Sequence, residues 1–157
     1  MSSFKDNQGR SWQIAVTINT VKRVRSLLDI DLLAIVDGKL LERLVTDPVL
    51  LVDVLYAVVK PYADEEGISD ADFGDALAGD AIDAATTALL EGLADFFPQR
   101  RRELLHRALG KLREVEARAM DLAEEKLADP SLDLEIQRIL GDSSTDSPAS
   151  SAATPAP

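Results

Sequence analysis

The sequence predicts a mostly α-helical fold with an N-terminal β-hairpin, a long C-terminal helix and a disordered tail. Three observations predict it. Apolar residues alternate singly from Trp12 to Ile18, recur every three or four positions from Val21 onward, and give way after Gly141 to a stretch dominated by Ser, Pro and Ala. A period of two marks a half-buried strand and a period of 3.6 an amphipathic helix. A Ser/Pro/Ala segment buries too little apolar surface to order itself. A chain of 157 residues is then expected to hold a single domain over residues 1–140, with the tail at 141–157.

The hairpin is expected over residues 4–18. Asp6, Asn7 and Gly9 supply the turn, because Asn and Gly tolerate positive φ. Trp12, Ile14, Val16 and Ile18 then turn one apolar face inward. A lone two-stranded hairpin is marginal, so it must pack on the helices or pair with another strand. Helices follow over 20–97. Asn19 or Thr20 is the expected cap of the first, with Val21, Val24 and Leu28 on its buried face and Lys22, Arg23 and Arg25 on its remaining surface. The apolar run LLAIV stops at Asp37-Gly38, and KLLERLV makes a short helix. Thr46-Asp47-Pro48 is a strong start signal, because proline at the first helical position loses nothing by lacking an N–H. The helix from Pro48 to about Glu66 is apolar on most sides, so it should lie at the centre of the domain. Pro61 is expected to kink or shorten it.

Gly67 ends that helix, and Ser69 with Asp72 resembles a capping box. Gly79 divides the helical stretch that follows to Phe97. From Asp64 to Asp95 there are ten acidic residues and no lysine or arginine. A long helix is expected over 98–129, roughly 45 Å at 1.5 Å per residue, and a short one over 132–140. In the long helix Leu105, Ala108, Leu112, Val115, Ala119 and Leu122 recur at alternating steps of three and four, the spacing of a coiled-coil seam.

Composition narrows the function. The net charge is −11 and cysteine is absent, which excludes disulfides, thiolate metal sites and cysteine nucleophiles. His106 is the sole histidine, so one chain cannot build a histidine triad or a multi-histidine metal site. The stretch DADFGDALAGD carries aspartates like a calcium loop, but Gly74 falls one place early and the closing glutamate is missing. Asp70, Asp72 and Asp75 instead suit a helix N-terminus. No phosphate-binding glycine pattern appears. The chain is read as a non-enzyme that takes no metal and no cofactor. Its N-terminus lacks an apolar signal core, and the longest aliphatic stretch carries Asp53 and Pro61. A soluble, cytoplasmic protein without a membrane partner is expected.

Arg100, Arg101 and Arg102, with Arg107 one turn on, admit two readings. They contact phosphate, or they complement the acidic segment from Asp64 to Asp95 in the fold or an oligomer. No aromatic platform and no helix-turn-helix grammar lie beside them. Nucleic acid is therefore not the expected partner.

Several stretches together, FKDNQGRSWQIAVTINTVKRVR, DPVLLVDVLYAVV and LAGDAIDAATTALLEGLADFFP with the arginine-rich helix behind them, resemble small acidic proteins of tailed-phage and prophage morphogenesis clusters. Those are similar to tail assembly chaperones. The resemblance covers about residues 4–128, and related proteins often lack Pro61. It implies a chaperone that coats the long, aggregation-prone tape measure protein in the host cytoplasm until tube subunits polymerise around it. On that reading Phe96, Phe97, Leu105, Leu112, Val115 and Leu122 are the candidate client contacts; the alternative is that they pack the protein's own core or a homo-oligomer. Two rival functions are a structural tail or connector component retained in the particle, and a small nucleic-acid-binding regulator using the arginine cluster.

Overall fold

A computed structural model describes residues 2–142. The fold is mostly helical with a two-stranded antiparallel hairpin at the N-terminus, as the sequence predicts. The described residues divide into two compact units that part between Gly110 and Lys111, where one domain was expected. The boundary falls within a helix, and the physical reason lies in burial. Leu105 and Leu109 reach a core, whereas no residue from Lys111 to Asp142 is buried.

In unit 1, β1 (Ser2–Lys5) pairs with β2 (Ser11–Ile14), Phe4 opposite Trp12 and Ser2 opposite Ile14. The hairpin is thus earlier and shorter than the expected 4–18. Thr17 ends it, because its hydroxyl accepts from the Thr20 amide while the Thr20 hydroxyl accepts from the Thr17 amide. That reciprocal cap starts α1 (Ile18–Leu28) two or three residues before the predicted position. Ile18 consequently leaves the strand and is exposed. The hairpin turn is organised by Asp6. Its carboxylate accepts from the amides of Gln8 and Arg10, from Arg10 Nε at 2.7 Å and from the Trp12 indole at 3.0 Å. Burial pushes the Asp6 carboxyl up, but these four donors outweigh it and hold it below the ordinary 3.8.

Asp29 closes α1 in the left-handed region, and a 3-10 turn (Leu32–Asp37) leads to α2 (Lys39–Thr46). Asp47 then caps α3 (Pro48–Glu65), its Oδ1 accepting from the Val49 and Leu50 amides. Leu51, Val54, Leu55, Val58 and Val59 of α3 are buried, which places it at the centre as predicted. Pro61 does not shorten it, for the helix continues a full turn beyond to Glu65. The carbonyl that Pro61 cannot serve, that of Ala57, accepts instead from Arg23 of α1 at 3.1 Å, and the Val58 carbonyl accepts from the same nitrogen at 3.0 Å.

Ser69 caps the short α4 (Asp70–Asp75) through the Asp72 amide, and Gly79 separates it from α5 (Asp80–Phe96). Trp12 is wholly buried and meets the edges of Phe73 and Tyr62 at centroid distances of 4.9 and 5.5 Å. The hairpin lies against α5 so closely that a Cβ on Gly92 would stand 2.7 Å from Ile14 Cγ2. The long helix is α6 (Gln99–Ala128), close to the predicted bounds.

Unit 2 holds the remainder of α6 and then α7 (Pro130–Asp142). This last helix is longer than the predicted 132–140. Asp129 Oδ1 accepts from the Ser131 amide at 2.9 Å, and Pro130 occupies the first turn, where it needs no donor. Gly141 and Asp142, expected in the tail, belong to α7. The rest of the predicted tail, 143–157, lies outside the described residues.

Candidate interaction surfaces

The candidate residues cluster around the turn from α5 to α6 and along α6 itself. Pro98 forces the residue before it out of helical conformation, and Phe97 is accordingly extended at φ −83° and ψ 154°. That turn carries the Phe97 side chain into the unit 1 core, at 5% exposure. Phe96 stays half-buried and meets Phe97 edge-on at 5.6 Å. Phe97 therefore packs its own unit instead of offering a contact, and the same correction applies to Leu105, which is 6% exposed. Leu109, absent from the predicted seam, joins it in the core. The signal for Leu109 was present in the sequence, since a residue four places after Leu105 shares its helical face.

Arg102 answers for part of the arginine triplet. Its Nη2 donates to the Asp95 carbonyl at 3.0 Å, satisfying one of the acceptors that the end of α5 leaves open. His106 Nε2 stands 3.8 Å from Asp95 Oδ1, a pair that forms when the imidazole is protonated. The basic start of α6 thus meets the end of the acidic segment within the fold. Arg100, Arg101 and Arg107 are exposed and make no ion pair among the described residues. Two of the three basic side chains of α1 are also committed, Arg23 to the α3 carbonyls and Arg25 to Asp31 at 3.0 Å.

Unit 2 is different in kind. Leu112 is half-buried, but Val115 and Leu122 are 62% and 57% exposed. Met120 and Leu127 on α6, and Leu134 and Ile136 on α7, are also exposed. The sequence reading passed over these four. Met120 and Leu127 are seven residues apart, two turns on one helical face. A run of large apolar side chains left in water normally marks a surface that meets another molecule.

Chemistry of other kinds finds little footing. Among the described residues no three or more His, Asp or Glu side chains are grouped to hold a metal ion. Asp53 of α3 has its carboxyl raised by burial and by the nearby charges of Asp70 and Asp47. No described helix is long and apolar enough to cross a membrane.

Comparison with known proteins finds no matching family model, no matching curated protein and no matching solved structure.

Proposed function

We propose that this chain is a non-enzymatic tail assembly chaperone of a phage or prophage, which holds the tape measure protein soluble in the host cytoplasm during tail morphogenesis. One observation carries the reading: unit 2 presents Val115, Met120, Leu122 and Leu127 to solvent along a helix. A holdase needs such a surface, because an aggregation-prone helical client is kept in solution by covering its apolar stripe with another. The net charge of −11 supports it, since a strongly charged holder keeps the complex dispersed. The likeness of residues 4–128 to small acidic morphogenesis proteins supports the choice of client.

Coexpression tests the reading. The tape measure protein should move from the insoluble to the soluble fraction when this chain is present, and Val115→Glu with Leu122→Glu should abolish the effect. Mass spectrometry of purified tails should find the chain missing. Its presence at a fixed copy number would instead make it a structural component.

A further inference from the structure

We propose that the stretch from Asp121 to Asp142 docks an amphipathic helix whose apolar stripe is bordered by lysine and arginine. The inference rests on the reading of unit 2 as a client-holding surface and names the chemistry of the segment held. Leu122 and Leu127 at the end of α6 supply the apolar half, and Leu134 and Ile136, on opposite sides of α7, leave apolar surface open on that helix as well. The charge among them is one-sided. From Asp121 to Asp142 there are seven carboxylates and two cationic side chains, Lys126 and Arg138. Glu124, Glu125, Asp133 and Glu135 are all exposed, so their field reaches whatever approaches.

That field selects the occupant. A surface of one sign gathers partners of the other and disfavours its own kind. A second copy of the chain would set seven carboxylates against seven, so self-association leaves the charge unanswered. Nucleic acid and anionic lipid are repelled for the same reason. A helix with cationic borders answers both halves at once, its stripe meeting the leucines and its lysines or arginines the carboxylates. The apolar contact would hold the partner, and the charge would choose it.

The test uses the full chain and three fluorescent peptides followed by anisotropy. One carries a leucine stripe bordered by lysine, a second the same stripe bordered by glutamate, and a third the first composition scrambled so that no stripe forms. The lysine-bordered helix should bind at least tenfold more tightly than either of the others, and its affinity should fall as salt is raised. Leu122→Glu with Leu127→Glu should weaken it at least tenfold. Those substitutions add negative charge, so simple attraction of a cation would strengthen instead. Equal binding of the glutamate or scrambled peptide, or tighter binding by the variant, overturns the proposal. So does sedimentation showing a dimer that the same substitutions dissociate. If the tape measure protein is solubilised without a preference for cationic borders, this inference fails and the chaperone reading stands. If the preference is found but the client stays insoluble, the reverse holds.

Discussion

Arg23 replaces the donor that Pro61 lacks. Its guanidinium, on α1, donates at 3.1 Å to the Ala57 carbonyl, the acceptor that an amide at position 61 would ordinarily serve. One side chain thereby fastens α1 to α3 and lets α3 run on to Glu65. Removing a charged donor from a part-buried acceptor costs about 1.5–3 kcal/mol. Arg23→Met should destabilise unit 1 by that amount in urea denaturation. In a Pro61→Ala background, where the backbone supplies its own N–H, the same substitution should cost clearly less. Equal costs in both backgrounds would break the link between the two residues.

Gly92 marks where the hairpin meets α5. Alanine is ordinarily better than glycine inside a helix by about 1 kcal/mol. Here the added Cβ would fall 2.7 Å from Ile14 Cγ2, and overpacking a tight contact costs about 1–3 kcal/mol. The clash involves a branch fixed close to the backbone, so it should win. Gly92→Ala should lower the melting temperature, whereas a rise would mean that the hairpin does not lie so close to the helix.

Two carboxyls pull stability in opposite directions with pH. Asp6 is held below 3.8 in the folded chain, so its contribution is complete above the unfolded value and is lost as pH falls through the folded one. Asp53 is raised above 3.8 by burial and by Asp70 and Asp47, so its ionisation opposes folding at neutral pH and protonation relieves this. Asp53→Asn should stabilise the protein at pH 7, with a gain that disappears below about pH 4. Asp6→Asn should destabilise it by about 2 kcal/mol at pH 7, with the loss shrinking in acid. Denaturation curves at both pH values read the signs directly.

The two parts of α6 should respond oppositely to substitution. Leu109→Ala opens a hole in the core of unit 1 and should cost about 2–5 kcal/mol. Val115→Glu and Leu122→Glu alter side chains already in water and should change thermal stability by less than about 0.5 kcal/mol each. A large loss from either glutamate would make the unit 2 stripe a packing face and remove it as a docking surface.

Much of the fold was legible because its signals are local. Asp47-Pro48, Ser69 and Gly79 start or divide helices through their own side chains and backbones, and α3 showed its central place by being apolar on most sides. What escaped depends on partners distant in sequence. Nothing near Pro61 announces that Arg23 will serve Ala57, so the sequence alone predicts a kinked or shortened helix. Thr17 was missed because the Trp12-to-Ile18 alternation ran past it, although the Thr17–Thr20 cap was within local reach. Phe97 and Leu105 looked like a partner surface since periodicity identifies an apolar face without saying what covers it. The same ambiguity applies to Leu112, Val115 and Leu122, where burial, not spacing, separates core from open surface.

The most direct measurement of the central claim is hydrogen exchange on the full chain, alone and in complex with the tape measure protein. A chain that works by lending apolar helical surface should gain protection in α6 beyond Gly110 and in α7, with the buried amides of α3 and α5 unchanged. Protection confined to unit 1, or a client held with no change between Lys111 and Asp142, would contradict the account.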